Sequence, residues 1–271
     1  GGFTVGYQRT GTLQINDGGA VRSSSGSVGD GVGGSGTATV SGAGSIWGMD
    51  NNLYVGESGT GDLKVQDGGT VSAGSTNSAA IYLGYANHSQ GTVTVSSSNG
   101  SVSTLSVSLN LIVGQDGSGT FSVEKGGVVS SGYDVEIAVG GTSSGTLHLN
   151  GDASGRGILE TGFVTKGLGA GVLDLNGGIL RATQDQSDFL RGFGTLTVGA
   201  EGAWFDTNTH NIGVSTVFSG SGSFNKLGAG TLTLTGNSAA FAGAMQVQAG
   251  TLQMDGVCLL YTSDAADDMQ C

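Results

Sequence analysis

Apolar and polar residues alternate in a short pattern that recurs along most of the chain. The pattern is a pentapeptide of the form Gly-Thr-Leu-x-Val, first seen as Gly11-Thr12-Leu13-Gln14-Ile15 and repeated with variations from Gly36, Gly61, Gly91, Gly119, Gly145, Gly171, Gly194, Gly230 and Gly250. The third and fifth residues are apolar and the second and fourth are mostly polar, which is typical of a strand with one buried face. Copies begin about 27 residues apart on average, a period that indicates a solenoid or a propeller.

Two further strand-like segments accompany most copies. A turn signal comes first, because glycine accepts the backbone angles of a corner, at Asp17-Gly18-Gly19, Asp67-Gly68-Gly69, Lys125-Gly126-Gly127 and Asn176-Gly177-Gly178. A second apolar stretch follows, at Ala20-Val21, Thr70-Val71, Val128-Val129, Ile179-Leu180 and Ala203-Trp204-Phe205. A third ends in Val-Gly or Leu-Gly, at Phe3-Thr4-Val5-Gly6, Leu53-Tyr54-Val55-Gly56, Ile81-Tyr82-Leu83-Gly84, Leu111-Ile112-Val113-Gly114 and Ile137-Ala138-Val139-Gly140. Three strands and three corners therefore form one repeat.

This repeat predicts an all-β fold. Strands this short are unstable alone, but equivalent strands of neighbouring coils can pair in parallel around a dry core. We therefore expect a right-handed parallel β-helix, a solenoid of about ten coils, over residues 1–256. The absence of proline agrees, because every stacked strand needs its backbone N–H groups. A propeller is the alternative, although its four-stranded blades usually need about 40 residues per repeat.

One strand from each coil would place its inward residues in two apolar columns along the solenoid axis. The expected inward pairs are Leu13/Ile15, Ala38/Val40, Leu63/Val65, Val93/Val95, Phe121/Val123, Leu147/Leu149, Leu173/Leu175, Leu196/Val198, Leu232/Leu234 and Leu252/Met254. The outward residues between them form a polar row: Gln14, Thr39, Lys64, Thr94, Ser122, His148, Asp174, Thr197, Thr233 and Gln253. Such a row suits many weak contacts with a host or glycan surface, and it suits a passive spacer equally well.

Charge and cysteine content narrow the class of protein. The chain has 271 residues, 55 glycines and a formal net charge of −12. Nucleic acid is not an expected partner, because its recognition needs a clustered basic surface. Both cysteines, Cys258 and Cys271, lie near the end of the chain, which excludes a disulfide framework in its body. A body without thiols suits a chain that crosses an outer-membrane pore unfolded.

The two ends of the sequence lead to two expectations. The sequence shows no apolar signal segment and no apolar run of membrane-spanning length, so we expect a fragment whose export signal and anchor lie outside it. Residues 257–271 break the repeat, since glycine disappears and Asp264-Ala265-Ala266-Asp267-Asp268 continues no strand. We interpret this tail as translated sequencing-adapter read-through, with a genuine frayed end as the alternative.

Two segments resemble repeats of exported bacterial proteins, and together the two kinds of repeat cover most of residues 1–256. Residues 53–69, LYVGESGTGDLKVQDGG, resemble the repeat shared by autotransporters and proteins with a PEP-type C-terminal sorting signal. Residues 223–254, which include the stretch KLGAGTLTLTGN from Lys226, are similar to the passenger-associated transport repeat of autotransporters, and Lys166 begins a looser copy. The resemblance implies an exported β-helix stalk, often followed by an outer-membrane barrel, and it implies no common catalytic residues.

Parallel β-helices also serve as polysaccharide lyases and hydrolases, so carboxylates near basic residues are candidates for catalysis. Asp206 and His210 follow the aromatic strand at residues 204–205, and Asp185, Asp188 and Arg191 lie in an interrupted stretch. We interpret all five as solvated turn and loop residues. No residue is therefore assigned a catalytic, cofactor-binding or metal role, no cofactor is expected, and a carbohydrate-active enzyme is the alternative function.

Metal binding is a second alternative to a purely structural role. Three acidic residues follow Val-Gly strands and, if aligned on one outer corner, would offer a weak Ca²⁺ site: Asp30, Glu57 and Asp116. The specific calcium repeat Gly-Gly-x-Gly-x-Asp is absent, since the sequence GGSG at residues 33–36 leads to Thr37 and Ala38. The three histidines share no ligand spacing and are interpreted as solvated side chains: His88, His148 and His210.

These observations together predict an extracellular structural stalk or passenger of an autotransporter-like bacterial surface protein, and not an enzyme. We expect a secreted or cell-surface location in a Gram-negative bacterium, with attachment to the outer membrane through a barrel or other anchor outside this chain. Host-surface or glycan contacts are the expected interactions. No membrane-spanning segment is expected within the chain itself.

Overall fold

Short strands and tight corners account for the whole described structure. The computed structural model describes residues 1–75 and 78–255, which contain no helix. The expectations for residues 257–271, including Cys258 and Cys271, lie outside the described residues. In chain order the strands are β1 (Phe3–Tyr7), β2 (Thr10–Asn16), β3 (Ala20–Ser23), β4 (Gly26–Asp30), β5 (Ser35–Ser41), β6 (Ile46–Met49), β7 (Leu53–Val55), β8 (Thr60–Gln66), β9 (Thr70–Ala73), β10 (Ile81–Leu83), β11 (Gln90–Ser96), β12 (Ser103–Val107), β13 (Leu111–Val113), β14 (Ser118–Val123), β15 (Gly127–Ser131), β16 (Val135–Ile137), β17 (Ser144–Asp152), β18 (Gly155–Arg156), β19 (Ile158–Thr161), β20 (Val164–Lys166), β21 (Ala170–Asn176), β22 (Ile179–Ala182), β23 (Leu190–Arg191), β24 (Thr195–Thr197), β25 (Ala203–Asp206), β26 (Ile212–Val214), β27 (Val217–Ser219), β28 (Phe224–Leu227), β29 (Thr231–Leu234), β30 (Met245–Val247) and β31 (Thr251–Met254).

Each coil contributes one strand to each of three long parallel sheets. Sheet 1 has the order β1-β4-β7-β10-β13-β16-β20-β23, sheet 2 has β2-β5-β8-β11-β14-β17-β21, and sheet 3 has β3-β6-β9-β12-β15-β19-β22-β25-β28-β30. A small hairpin, β17–β18, interrupts one coil with an antiparallel pair. The predicted all-β solenoid of about ten coils, with three strands per coil, is confirmed. Its right-handed winding stays a prediction, in line with the general hand of parallel crossover connections.

The pentapeptide copies from Gly11 to Gly171 stack in register in sheet 2. Their seven glycines face one another in neighbouring strands from β2 to β21. The predicted inward pairs from Ala38/Val40 to Leu173/Leu175 are all buried, whereas Leu13 in the first coil is only partly buried. The two apolar columns predicted from the sequence are therefore correct in this part of the chain.

The last two pentapeptide copies lie in a different sheet from the first eight, which corrects the expectation of a single column. The copies at Gly230 and Gly250 form β29 and β31, which pair with β26. A bridge between Gln186 and Ile212 joins these strands to the coil of β23, so they continue sheet 1. Sheet 2 instead continues through β24, linked to β21 by a bridge between Leu175 and Val198, and through β27, which pairs with β24.

Coil length explains this change of sheet. The copies at Gly194 and Gly230 begin 36 residues apart, whereas Ala203 and Phe224, which face each other in β25 and β28, are 21 residues apart. The interval therefore covers one coil and about two-thirds of the next, which moves the pentapeptide onto another side of the solenoid. Because alternation specifies only which residues are buried, the same pattern serves either sheet. Thr233 and Gln253 consequently do not belong to the outward row of sheet 2.

Glycines at the corner after sheet 1 allow the backbone of the next coil to approach closely. Gly56 has a φ of 71°, and a Cβ atom built there would lie 2.0 Å from the carbonyl oxygen of Gln90.

The predicted strand 137–140 is wrong in register, because β16 pairs Val135 and Ile137 with Leu111 and Val113. Burial sets this register, since Val135 and Ile137 are both fully buried. Ala138 then occupies the corner, with a φ of 56°.

A large and a small residue complement each other near the first coils. Trp47 in β6 is fully buried. Gly26 in β4 lies between Phe3 and Leu53 in sheet 1, and a Cβ atom there would come within 2.9 Å of Cζ2 of Trp47. Glycine is therefore needed at this inward position because the indole fills the space.

We expect Gly26→Ala to lower the free energy of unfolding by about 1–3 kcal/mol, because the new methyl group overpacks the core against Trp47. Urea unfolding followed by tryptophan fluorescence measures this change. Gly141→Ala is the matched control, since its Cβ would meet no atom within 4 Å, and it should not destabilise. Equal stability of the two variants would contradict the packing described for Trp47.

The change of sheet is tested by cysteine crosslinking in a chain that also carries Cys258→Ser and Cys271→Ser. Thr197 and Ser219 face each other in β24 and β27, with their hydroxyl oxygens 3.2 Å apart. Thr197→Cys with Ser219→Cys should therefore form a disulfide under mild oxidation, which mass spectrometry detects. Thr197→Cys with Thr233→Cys should not, and a disulfide in that pair would restore the single-column arrangement.

Candidate functional site

A cleft opens in the side of the solenoid where sheet 2 loses its regular pairing. β21 pairs with β17 at every position from Ala170 to Asn176, but within the described residues its only backbone pairing with the next coil is the bridge between Leu175 and Val198, the residue that follows β24. The cleft between β21 and β24 has a volume of about 520 Å³, within the range of small-molecule sites. Its walls carry charged, hydroxyl and aromatic side chains, namely His148, Lys166, Asp174, Phe193, Thr195 and Thr197.

An imidazole and a carboxylate are paired at the rim of this cleft. His148 in β17 and Asp174 in β21 are neighbours in the outward row, and Nδ1 of His148 lies 2.9 Å from Oδ2 of Asp174. Both side chains are a little over one-third exposed, so solvent screens their interaction. Among the described residues, the structure gives them no further hydrogen bond, which leaves Nε2 and Oδ1 available to a ligand.

Lys166 brings a cation into the same cleft from the end of β20. It follows Ile137 in an inward column of sheet 1. Its ammonium group donates one hydrogen bond, to the carbonyl oxygen of Gly167 at 3.4 Å, and this is its only hydrogen bond within the described part of the chain. A partly buried ammonium group with three donors and one long hydrogen bond is poorly satisfied.

Lys226 occupies the comparable position in the second copy of the motif, and there the ammonium group is fully satisfied. It lies in an inward column of sheet 3, between Phe205 and Val247, and is fully buried. Its Nζ donates to the carbonyl oxygens of Leu227, Gly228 and Ala249, at 2.7, 2.8 and 3.0 Å. Burial lowers the pKa of this ammonium group, and the charge of Asp206 partly opposes that effect. Lys226 thus ties one corner to the next coil.

The corners that follow the two lysines differ in length. Five residues lead from Lys166 to Gly171, the glycine of the following pentapeptide, and four lead from Lys226 to Gly230. The shorter corner brings two of its own carbonyl groups to the ammonium, and the next coil supplies a third. At Lys166 the next coil supplies none, because the strands have diverged.

The residues considered for catalysis do not form one site. Asp206 accepts a hydrogen bond from Nε of Arg181 at 2.7 Å, and Arg181 also donates to Glu160, so these three form a charge ladder across sheet 3. His210 instead lies near Asp185, with Nδ1 and Oδ1 3.4 Å apart. The expectation that Asp206 and His210 are solvated is thus only partly correct, since both have charged partners.

The remaining candidates in that stretch are held by local contacts. Nε of Arg191 donates to the carbonyl oxygen of Asp188 at 3.0 Å, and its guanidinium group lies 3.8 Å from the centre of the Phe163 ring. Asp188 accepts a weak hydrogen bond from Ser215 at 3.5 Å. These contacts stabilise the turn between coils and leave no pair of free carboxylates in it.

The three acidic residues considered for calcium do not converge on one point, although Asp30 and Glu57 lie at equivalent positions of neighbouring coils, two residues after the paired Val28 and Val55. Among the described residues, no three His, Cys, Asp or Glu side chains could hold one metal ion. The corner of the coil between Glu57 and Asp116 carries Ala86, which bonds to the backbone of Glu57. Two coil spacings, about 10 Å, therefore separate these two acids. His88 lies by a second cleft with Asp116 and outside any metal cluster of the described chain.

Asp134 is a buried acid that the sequence did not suggest. It is 5% exposed, and its Oδ1 has no hydrogen-bond partner within the described structure. Burial raises the pKa of this carboxyl to about 6; the charge of Glu136 adds to the increase, and that of Arg191 opposes it. Since residue 134 lies at a corner just before β16, only the three-dimensional packing reveals its burial.

Asp134 should destabilise the folded chain at neutral pH. The folded state keeps the proton on Asp134 up to about pH 6, whereas the unfolded chain releases it near 3.8, the ordinary pKa of an aspartate, so the free energy of unfolding falls as pH rises between these values. We expect Asp134→Asn to raise the free energy of unfolding by about 1–3 kcal/mol at pH 7.5 and by much less at pH 4. Urea unfolding at both pH values checks this, with the exposed Glu201→Gln as control. A gain that does not depend on pH would contradict the assignment.

His148 and Asp174 lie in the outward row, as predicted from the sequence, but the cleft beside them was not predicted. The one available signal was the spacing of pentapeptide copies, which falls to 23 residues between Gly171 and Gly194. The break in pairing itself depends on contacts between coils, which a single sequence does not display.

Comparison with known proteins gives one match. The model of the passenger-associated-transport-repeat family matches residues 224–254, which extend from β28 to β31 and include the buried Lys226. Neither a curated protein nor a solved structure matches the chain. The resemblance of residues 53–69 to a second repeat type stays a prediction. Across residues 1–75 and 78–255, the structure offers no helix long and apolar enough to cross a membrane. The chain is thus a β-solenoid in which one segment, residues 224–254, is similar to the passenger-associated transport repeat.

Proposed function

We propose that this chain is the extracellular stalk of an autotransporter-like protein of a Gram-negative bacterium, attached to the outer membrane through an anchor outside the chain. The observation that carries the proposal is the match of residues 224–254 to the passenger-associated transport repeat, within a solenoid built of parallel coils. Coils contact chiefly their neighbours, so a solenoid can lengthen without a new core and can hold its outer end far from a membrane.

The packing of the matched segment supports folding that starts at this end of the solenoid. Phe205, Phe218, Phe224 and Phe241 form one cluster of rings, with Phe205 and Phe224 stacked at a centroid distance of 5.1 Å. Aromatic side chains bury more area than aliphatic ones, and such ring pairs add stability beyond burial. Coils that emerged later during export would then add to a folded template.

The outward row of sheet 2 supports an adhesive role through many weak contacts. It runs through Gln14, Thr39, Lys64, Thr94 and Ser122 in register, and none of these side chains is buried. Repetition along the axis lets weak contacts with a host or glycan surface act together. The same residues keep the stalk soluble, which fits a spacer that binds nothing.

We also propose that the chain has a structural role and does not catalyse a reaction. Four clefts of the described chain are each lined by a single carboxylate, from Asp50, Asp116, Asp174 or Asp185. Hydrolysis of glycosides generally requires two carboxylates across the scissile bond. The arrangement in these clefts favours binding over hydrolysis.

Surface display tests the export proposal. The full chain is placed between a secretory signal peptide and an autotransporter barrel in a Gram-negative host, and protease is added to intact cells. We expect the protease to digest the chain while a periplasmic marker survives. A chain that stays protected inside cells whose barrel has inserted would refute the passenger assignment.

Hydrogen exchange tests where the solenoid is most stable. Backbone amides of residues 203–247 should exchange most slowly, because the phenylalanine cluster and the Lys226 hydrogen bonds lie there. Lys226→Met should speed exchange in this segment by about tenfold or more, because it removes the three hydrogen bonds that Lys226 donates to the carbonyl oxygens of Leu227, Gly228 and Ala249. Lys64→Met is the control, since Lys64 is about half exposed. Fastest exchange in residues 203–247 of the unaltered chain would contradict folding from this end.

A further inference from the structure

The cleft between β21 and β24 combines a cation that has a single long hydrogen bond within the described residues with an imidazole–carboxylate pair. The ammonium group of Lys166 can be compared with that of Lys226, which begins the other copy of the same motif at a corner where the coils remain paired. Lys226 has three carbonyl partners within 3.0 Å, and Lys166 has one at 3.4 Å. Because a partly buried ammonium group gains most from charged or strongly polar acceptors, Lys166 favours a ligand that brings its own acceptor.

We propose that this cleft binds a saccharide that carries a carboxylate, such as a uronate unit of an acidic glycan. The carboxylate pairs with Lys166, and hydroxyl groups of the same or the next sugar bond to His148 and Asp174. The site goes beyond the stalk role and does not depend on export, since it can bind in the purified chain.

Hydroxyl groups match the His148–Asp174 pair. With one imidazole nitrogen directed at Asp174, Nε2 of His148 and Oδ1 of Asp174 are left to exchange hydrogen bonds with a ligand. The hydroxyls of Thr195 and Thr197 on β24 add further donors and acceptors on the opposite wall. A sugar ring has hydroxyls along its edge, so one unit can contact several of these groups together.

Apolar contacts suit the faces of a sugar ring. The partly buried ring of Phe193 lies in the cleft wall, and the exposed side chain of Val172 lies beside it on β21. The faces of a pyranose ring carry C–H groups that pack on such surfaces, while its edges remain polar. A peptide ending in a carboxylate would satisfy Lys166 but would leave the His148–Asp174 pair without the hydroxyls it can bind.

The charge of the protein makes the role of Lys166 decisive. With a formal net charge of −12, the chain as a whole repels a polyanion. An acidic glycan can therefore bind only where a local cation outweighs that repulsion. Neutral glycans lack the carboxylate that would pair with Lys166, so they gain only polar contacts in the cleft.

Calorimetric titration of the full chain with galacturonate, glucuronate and mannuronate trimers tests the site, with neutral galactose trimer for comparison. We expect at least one uronate trimer to bind and the neutral trimer to bind at least about tenfold more weakly, the scale of one charge-assisted hydrogen bond. Lys166→Met should weaken the uronate by a similar factor. Lys64→Met, on the same side of the solenoid, should change it by less than about twofold.

A second pair of variants tests the location without removing a charge. Gly194 lines the cleft, and a Cβ atom there would meet nothing within 4 Å, so Gly194→Leu should fill the cleft and abolish binding. Gly141→Leu, whose Cβ also meets open space but which does not line the cleft, should bind normally. Circular dichroism and thermal melting confirm that each variant is folded.

Four outcomes would overturn the proposal. These are no binding of any uronate trimer, equal binding of the neutral trimer, unchanged binding by folded Gly194→Leu, and tighter binding of a short peptide through its terminal carboxylate. Because none of them concerns secretion, failure here leaves the stalk proposal standing, and failure of surface display leaves this site standing.

Discussion

Hydrogen bonding between equivalent strands of successive coils is the constraint on which the rest of the structure depends. Each coil holds strands too short to persist alone, and each becomes stable by pairing in register with the coil on either side. Register places like residues over like, which builds the buried columns and requires glycine where one backbone approaches the next. Gly56, beside the carbonyl of Gln90, shows how closely the coils approach.

The candidate binding site of this solenoid lies where the pairing between coils is interrupted. At Lys226 the coils remain paired, and the buried ammonium group serves only to join two corners. At Lys166 a longer corner and the separation of β21 from β24 leave a comparable ammonium group in an open cleft. The same short motif therefore supports structure in one place and a candidate binding site in another, according to the coil that follows it.

The parts of the fold that depend on local burial could be predicted from the sequence. Alternation within each pentapeptide identified the inward pairs of sheet 2, such as Leu63 and Val65, because a strand with one buried face has a fixed period. The sheet that contains the last two copies could not be predicted in the same way, since it depends on the accumulated length of the coils before it. The register of β16 was missed because Ala138 takes a corner angle that usually marks glycine.

The candidate site was less accessible to sequence reasoning than the fold. His148 and Asp174 were correctly placed outward, but their pairing requires that β17 and β21 be neighbours in register. The burial of Lys226 was hidden for a related reason, because a lysine in a strand is normally exposed and only the corner carbonyls make an inward ammonium tolerable. Side chains that act through groups of another coil are visible only after the coils have been stacked.

The move of the pentapeptide from sheet 2 to sheet 1 means that the solenoid has no single repeating front. Thr94 in sheet 2 and Thr233 near the end of the solenoid hold the same place in the repeat, yet they lie on different sides of the solenoid. A flat partner lying along sheet 2 would therefore contact the regular outward row only as far as the copy that begins at Gly194. Beyond that copy the partner would contact different side chains, so the two ends of the solenoid present different surfaces to their neighbours.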